Sequence, residues 1–153
     1  MANNKQLLTD IKLGLRQSEL RPVYEVETER RRLPSRPGLR QDMATISGRE
    51  NLGQAVFIRL LTPKGELTEL GHPEYGSRLH ELIGRQNTAT NRNLVRLFIL
   101  ESLALEPRIE EIIEATVEPA LGSRDRVNVL LRVKPVGEAA IVIIGPFTLE
   151  LEQ

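Results

Sequence analysis

Apolar residues recur with two different spacings, helical first and strand-like second, and this order limits the fold more than any other feature of the chain. From Ser47 to Leu105 the apolar residues recur with helical spacing, whereas after Pro107 they form β-branched runs of strand type. These runs are RIEEIIEATVEP, RVNVLLRVKPV and AAIVIIGPFTLELEQ, separated by Gly-Ser and Gly-Glu turns. Short turns between strands predict an antiparallel meander. Helices followed by strands therefore predict an α+β fold, with the helices packed on a C-terminal antiparallel β-meander.

The helical part divides into two long segments and a short one. Ser47 and Glu50 have the spacing of a capping box, which predicts a helix that starts after Ser47 and ends before Pro63. A turn-rich link and a short helix at about 77–83 follow. The next helix is predicted at about 89–105. Because aliphatic residues cover nearly every side of it, we expect it to be buried all round.

The first 47 residues differ in composition from the rest. The segment RRRLPSRPGLRQD combines five arginines with prolines and a glycine, which predict a loop or an extended arm rather than a helix. Its arginines are Arg30, Arg31, Arg32, Arg36 and Arg40. Between 28 and 41 they form either a solvated, solubilising segment or an arm that docks on an acidic partner surface. The sequence thus predicts an arginine-rich N-terminal arm at 1–47 and a domain at 48–153.

The composition excludes several classes of function. The chain has no cysteine, so disulfides, thiol catalysis and cysteine-bound metals are excluded. Its 21 basic and 21 acidic residues cancel and only 3% of residues are aromatic, so it lacks the field and the stacking rings of a nucleic-acid-binding protein. No apolar run approaches the roughly 20 residues of a membrane span, and the N-terminus has no signal-peptide h-region. We therefore expect no nucleic-acid partner, no membrane insertion and synthesis in the cytoplasm.

Neither a metal site nor a catalytic group is indicated by the sequence. The segment HELIG begins like the zinc-protease motif His-Glu-x-x-His, but Gly84 occupies the place of the second histidine. His72 and His80 are the only histidines, and no cysteine accompanies them, so a metal site is not expected. Glu101 and Glu106 come closest to a glycosidase pair, although nothing in their context marks them as one. We expect no catalytic residues, no metal, no cofactor and no enzymatic activity.

The triplet Glu106-Pro107-Arg108 ends the apolar helix. Because proline disfavours the helical conformation in the residue before it, we expect the chain to become extended at Glu106. Residues two apart in an extended segment point to the same side, so Glu106 and Arg108 would project together from Pro107. They would either pair with each other on the surface or form a contact surface for a partner. The residues alone leave both interpretations open.

Three short motifs give the chain a resemblance to a known family. They are RLLTPKGEL at 59–67, GHPEYGSRL at 71–79 and the Glu106-Pro107-Arg108 triplet, in this order and spacing. From about Asn51 to the C-terminus the sequence resembles the baseplate wedge proteins of contractile phage tails. This is the sheath-initiator family, often labelled lysozyme-like, with relatives in type VI secretion baseplates and extracellular contractile injection particles. The resemblance implies that the triplet contacts the helical core bundle of neighbouring wedge proteins.

The resemblance also implies a structural role for the end of the chain. Members of this family template the first ring of sheath subunits by sharing β-strands with them. In GPFTLELEQ the apolar Phe147, Leu149 and Leu151 alternate with the polar Thr148 and Glu150, which predicts a half-buried strand at the edge of the sheet. We expect these five residues to contact sheath by strand addition.

The predicted function is therefore a structural component that links the baseplate wedge to the sheath of a contractile tail or injection particle. Its partners would be other wedge proteins, sheath subunits and tube or hub proteins. It would be assembled in the cytoplasm and become part of the baseplate, including that of particles released from the cell. The alternative is a tail-associated, lysozyme-like glycan hydrolase. A stand-alone regulatory binding domain would fit the composition but would not explain the three motifs.

Overall fold

The computed structural model describes residues 7–17, 23–32 and 37–151. The N-terminal part contains six short strands: β1 (Thr9–Ile11), β2 (Leu13–Gln17), β3 (Val23–Val26), β4 (Thr28–Arg32), β5 (Leu39–Met43) and β6 (Thr45–Ser47). The remainder contains two α-helices and three longer strands: α1 (Gly48–Leu61), α2 (Ala89–Leu103), β7 (Ile109–Pro119), β8 (Arg126–Pro135) and β9 (Val142–Glu150). The α+β class predicted from the two periodicities is confirmed.

The three long strands form an antiparallel sheet in the order β7-β8-β9. The central strand β8 has a fully buried side chain at every second position, namely Val127, Val129, Leu131 and Val133. A period of two places these side chains on one face of the sheet. That face packs against α1 and α2 and forms the hydrophobic core of the protein. The predicted C-terminal meander is therefore present.

The long helices bury one face each. In α1 the buried stripe contains Leu52, Val56 and Leu60. The prediction that α2 is buried all round is wrong, because Leu97 is 54% exposed and lies opposite a face that includes Ile99. Since α2 packs on a single sheet layer, only one side of it is covered. The short helix predicted at 77–83 is a single 3-10 turn, Leu79–Leu82.

The start of α1 lies where the sequence predicts it, but the capping box does not form. Ser47 is extended (φ −142°, ψ 165°) and makes no side-chain hydrogen bond to the helix. It is the last residue of β6 and is paired with Thr9 of β1. The N–H of Gly48 instead donates to the carbonyl of Leu8. Strand pairing has therefore replaced the side-chain cap.

The N-terminal strands form three two-stranded antiparallel ladders, β1–β6, β2–β3 and β4–β5. The predicted arm is thus extended, and its strands pair with one another. Of the two predictions for the arginine-rich segment, a loop or an extended arm, the residues of β4 and β5 follow the second. Every residue of β4 and of β5 is exposed, and Arg31 lies directly opposite Arg40. Arg36 lies outside the described residues. Whether this hairpin is a solvated segment or docks on an acidic surface stays open.

Three backbone hydrogen bonds close the junction between these ladders. The N–H of Lys12 donates to the carbonyl of Ala44 (2.8 Å), that of Ala44 to Glu27 (2.8 Å), and that of Glu27 to Lys12 (3.0 Å). Each of the three linking residues therefore donates one bond and accepts one. Lys12 Nζ also lies 2.8 Å from Glu27 Oε2. These bonds consequently fix where the β2–β3 and β4–β5 ladders join the β1–β6 ladder.

The arm is attached to α1 through polar side chains and one core residue. Leu7 is only 1% exposed and belongs to the hydrophobic core, and its carbonyl accepts a hydrogen bond from Asn51 Nδ2 (2.9 Å). One turn further along, Gln54 Oε1 accepts from the N–H of Leu13 (2.9 Å) and Gln54 Nε2 donates to the carbonyl of Ile11 (2.8 Å). The amide of Gln54 thus pairs with the arm as a strand backbone would. Nothing in the structure tests the predicted boundary between arm and domain.

In the described part of the chain, neither α-helix combines the length and the apolar character that crossing a lipid bilayer requires.

Candidate functional site

The Glu106-Pro107-Arg108 triplet forms a tight turn between α2 and β7. The N–H of Ile109 donates to the carbonyl of Glu106 (3.1 Å), which places Pro107 at the second position of the turn, where its fixed φ is favourable. The expectation that the chain becomes extended at Glu106 is therefore wrong. The strand begins only at Ile109 because α2 must first reverse direction to run into the sheet.

Glu106 lies inside the protein and is held between two arginines. Its side chain is 3% exposed; Oε2 accepts from Arg59 Nε at 3.2 Å and Oε1 accepts from Arg108 Nε at 2.6 Å. Arg59 extends from the buried side of α1, and its guanidinium lies 4.5 Å from the centre of the Tyr75 ring, in cation–π contact. Of the two interpretations of the triplet, the mutual pairing of Glu106 and Arg108 is present. It is internal, however, and not a surface pair.

Burial and pairing act on the acidity of this cluster in opposite directions. Burial by itself raises the pKa of Glu106, but the hydrogen bond from Arg108 and the charges of Arg108 and Arg59 hold that pKa below its ordinary value. The pKa of Tyr75 is raised, chiefly by burial and against the nearby charge of Arg59. Glu106 is therefore an ionised anchor, and Tyr75 presents a neutral ring to the guanidinium.

The first two motifs meet beside this cluster. The segment from Thr62 to Lys64 pairs with Ser77: the N–H of Ser77 donates to Thr62 O and the N–H of Lys64 to Ser77 O, both at 2.8 Å. Gly76 has φ +104°, and a Cβ built on it would lie 2.5 Å from the carbonyl oxygen of Thr62. Only glycine fits at this crossing. The three motifs that are separate in sequence thus form one buried joint.

The sequence reasoning found Glu106 but missed Arg59 and Tyr75. One signal was available for Arg59, since it stands three residues after Val56 on the apolar face of α1. A charged residue on a buried helix face implies an internal partner, because an unpaired buried charge is strongly unfavourable. No such signal marks Tyr75. Its position becomes meaningful only when the chain brings it beside Arg59.

The surface above the cluster consists of accessible residues in the turn and beside it. Pro107 is exposed, Leu105 is 49% exposed, and the side chain of Arg108 is 21% exposed. Glu106 is buried beneath these groups and holds the turn through its hydrogen bond with Arg108. A partner that docks here would meet Leu105, Pro107 and part of Arg108. Of the predicted contact residues, Pro107 and part of Arg108 are accessible and Glu106 is buried; the contact with a wedge protein stays a prediction.

The other candidate chemical groups do not converge with Glu106. The side chain of Glu101 is 40% exposed and pairs with Lys64 (3.5 Å) and Arg78 (3.7 Å) at the surface. His80 Nδ1 lies 3.2 Å from the carbonyl of Ser77. Within residues 7–17, 23–32 and 37–151, no group of three or more histidine, aspartate or glutamate side chains is arranged to hold a metal ion.

The second site predicted from the sequence, at the end of the chain, lies on the edge strand β9. Leu149 is fully buried and Leu151 is 1% exposed, while the ring of Phe147 packs edge-on against that of Phe57 on α1, with centroids 5.2 Å apart. These three side chains therefore hold β9 on the core. Thr148 and Glu150 are half-buried on the other face, where Thr148 Oγ1 donates to Asn128 Oδ1.

The backbone of β9 carries, on its outer side, groups to which no described residue is hydrogen-bonded. The N–H of Leu151 donates to the carbonyl of Asp125 (2.8 Å), continuing the register in which Leu149 faces Val127. Hydrogen-bonded residues alternate with outward-facing ones in an antiparallel ladder. Thr148 and Glu150 therefore direct their N–H and C=O groups away from β8.

The opposite edge of the sheet is less open to such pairing. Strand β7 carries four glutamates along its length, Glu110, Glu111, Glu114 and Glu118. On its outer side, Arg96 Nε from α2 donates to the carbonyl of Ala115 at 2.9 Å. Charged residues and capped carbonyls discourage strand addition. Among the described residues, a side chain occupies an outward backbone group of β7 but none of β9, so β9 is the more open of the two edges.

Comparison with solved structures finds this fold in a crystal structure of a protein from Geobacter sulfurreducens named "putative tail lysozyme", with a TM-score of 0.52. The two sequences are 24% identical, and the match covers 66% of this chain and 90% of that chain. At this level of identity the likeness shows a shared fold and nothing about activity. No family model matches the chain, and no curated protein matches it.

Proposed function

We propose that this protein is a non-enzymatic assembly component of a contractile tail or contractile injection particle. In this role it joins the baseplate wedge to the sheath. The observation that carries the proposal is the open outer edge of β9, where Thr148 and Glu150 present backbone groups to an incoming strand. The fold that it shares with the protein named "putative tail lysozyme" supports a location in a tail.

The second contact of the proposal is the turn after α2. Leu105, Pro107 and Arg108 form an exposed patch on a rigid base, because Glu106 is fixed by Arg59 and Arg108. A patch that cannot move loses little conformational entropy when it is covered by a helical bundle of a wedge protein. The protein would then transmit a fixed geometry from baseplate to sheath. Glu106 contributes to this contact indirectly, by holding the turn.

The experiment is to assemble particles with variants of each contact and to examine them by electron microscopy. Arg108→Ala should fold, because Glu106 keeps Arg59, but it should be depleted from baseplates. Thr148→Pro removes an outward N–H without touching the β8 ladder, so it should enter baseplates yet give tails without ordered sheath. Thr148→Ala keeps that N–H and is the matched control. Full-length sheaths with Thr148→Pro would refute the strand contact.

Removing the end of β9 altogether is a poor test. Leu149 and Leu151 belong to the core, so a deletion of 147–153 should unfold the sheet as well as remove the contact. The proline substitution separates these effects. Circular dichroism of each purified variant establishes that its fold is intact before particles are examined.

A glycan hydrolase is the second candidate, because the protein that shares the fold is named for one. The electrostatics of the carboxylates oppose it. A general acid in such an enzyme needs a raised pKa, whereas that of Glu106 is lowered by Arg108 and Arg59. We expect no release of soluble fragments from peptidoglycan. Turnover that disappears in Glu101→Gln or Glu106→Gln would establish hydrolysis instead.

A further inference from the structure

The two faces of the β4–β5 ladder differ in charge. Side chains alternate between the faces of a ladder, and cross-strand partners share a face. The register therefore places the pair Glu29 and Asp42 on the same face as the pair Arg31 and Arg40. Arg31 Nε lies 3.8 Å from Glu29 Oε1, as this placement requires. Two acidic and two basic side chains thus offset each other on this side, the balanced face of the ladder.

The opposite side, the basic face, has arginines and apolar side chains but no acidic one. It consists of Thr28, Arg30, Arg32, Leu39, Gln41 and Met43. Gln41 Nε2 donates to Thr28 Oγ1 at 2.7 Å, which agrees with this assignment. Leu39 is 63% exposed and Met43 is 51% exposed. Among the described residues no carboxylate pairs with Arg30 or Arg32. The basic face therefore combines two unpaired guanidinium groups with two uncovered apolar side chains.

A segment that served only to keep the protein soluble would not be sorted in this way. A solubilising surface mixes charges of both signs and exposes few large apolar residues. Here both carboxylates lie on the balanced face, and the exposed Leu39 and Met43 share the basic face with the unpaired arginines. A two-stranded ladder that is open on both sides is also only marginally stable in water. These observations favour a partner that covers the basic face.

The junction of the arm holds this face in place. Ala44, which follows β5, is buried, and its N–H donates to the carbonyl of Glu27, which precedes β4. Glu27 Oε2 also lies 2.8 Å from Lys12 Nζ. Both strands are therefore tied together at the end of the ladder where Met43 lies. A surface that is positioned beforehand loses less conformational entropy when a partner binds.

We propose that the basic face of the β4–β5 ladder binds an acidic segment of another protein. Carboxylates of this segment pair with Arg30 and Arg32, and its apolar side chains cover Leu39 and Met43. The two arginines are neighbours on one face of a strand, so they lie about 7 Å apart. Carboxylates four residues apart on an α-helix have nearly this spacing, about 6 Å. A guanidinium group binds a carboxylate through two parallel hydrogen bonds. This contact is additional to the two contacts proposed above and does not depend on them.

Nucleic acid and anionic lipid fit the ladder less well than an acidic protein does. Strands β4 and β5 carry four arginines and two acidic residues, a net charge of only +2, and Glu29 and Asp42 would repel a long polyanion. Neither strand has an aromatic ring on which bases could stack. Anionic membranes are recognised by clusters of about four to eight basic residues. A short segment with both carboxylates and apolar side chains matches the composition of the basic face.

The test is selection of displayed random peptides on the full-length protein, followed by fluorescence anisotropy of the enriched peptides at about 0.15 M salt. These peptides should contain at least two acidic residues together with apolar ones. Arg30→Gln combined with Arg32→Gln should weaken their binding by about tenfold, since two ion pairs are lost. Arg31→Gln combined with Arg40→Gln is the matched control. It removes the same charge from the balanced face and should change the affinity by less than about threefold. Circular dichroism verifies the fold of each variant.

Several outcomes would overturn the proposal. If both double variants weaken binding equally, net charge and not the basic face is responsible. If no acidic peptide is enriched, the ladder is a solvated segment. Binding of single-stranded DNA or of phosphatidylserine vesicles that Arg30→Gln with Arg32→Gln abolishes, without enrichment of acidic peptides, would identify another anion as the ligand.

The contact is separable from the proposed function. Thr148→Pro and Arg108→Ala should bind the enriched peptides as tightly as the wild type, because both residues lie outside the ladder. Loss of peptide binding in Thr148→Pro, with binding retained in Arg30→Gln combined with Arg32→Gln, would place the peptides on β9 and overturn the role of the basic face.

Discussion

Neutralising Glu106 is the sharpest test of the buried joint. In Glu106→Gln the shape of the side chain is retained while its charge is lost, so Arg59, whose side chain is 8% exposed, keeps its position without a carboxylate. Breaking a buried ion pair from one side costs about 3–5 kcal/mol. The amide oxygen still accepts one hydrogen bond and Arg59 retains its contact with Tyr75. We therefore expect the lower end, about 3 kcal/mol.

For a chain of this length, that loss corresponds to a decrease in Tm of roughly 6–12 °C. The free energy of unfolding is measured by urea denaturation followed by circular dichroism at pH 7. Glu101→Gln is the matched control, since its carboxylate pairs with Lys64 and Arg78 at the surface, and it should change stability by less than about 1 kcal/mol.

The pH dependence gives an independent check of the same interaction. The folded-state pKa of Glu106 lies below its ordinary value of 4.5. Its contribution to stability is therefore complete above that pH and is lost as the pH falls through the folded-state pKa. The difference in unfolding free energy between the wild type and Glu106→Gln should be constant near neutrality. It should shrink on acidification below about pH 4.5.

A double variant distinguishes the loss of a pair from the loss of either residue. Arg59→Met combined with Glu106→Leu replaces both charges with apolar groups of similar size, which is often neutral for buried pairs. It should recover most of the stability lost in the single variants. Two results would refute this account of the joint. One is a decrease of less than about 1 kcal/mol in the free energy of unfolding of Glu106→Gln at pH 7. The other is a double variant that loses as much stability as the two single variants added together.

Two further substitutions test how the motifs and the arm are fixed. Gly76→Ala should destabilise the protein by about 2–4 kcal/mol in chemical denaturation, because its Cβ would collide with the carbonyl of Thr62 at a positive φ. Gly71→Ala, also at positive φ but with no atom of a described residue within 4 Å of the added Cβ, is the control and should cost less. Gln54→Ala should release the arm from α1, seen as faster amide exchange at Leu13 while the core strands stay protected. Unchanged exchange there would contradict the anchoring role of Gln54.

The sequence by itself determined the class of the fold and the positions of the two α-helices and the three C-terminal strands, because hydrophobic periodicity is a local property. The alternation of valines and leucines in β8 requires a strand with one buried face, and the 3.6-residue stripe of Leu52, Val56 and Leu60 requires a helix. Each pattern can be read within about ten residues. The same holds for the apolar side of the last strand, where Phe147, Leu149 and Leu151 face the core as predicted.

The tertiary structure alone decided which charges meet and which faces remain exposed. Arg59 and Glu106 are 47 residues apart in sequence, and no local pattern shows that they share one buried site. The exposure of Leu97 depends on the number of layers that cover α2, and the pairing of the arm depends on where Leu7 enters the core. Such contacts are set by the global path of the chain. For this reason the residues Glu106, Pro107 and Arg108, which form one motif in sequence, separate into a buried anchor and an exposed turn.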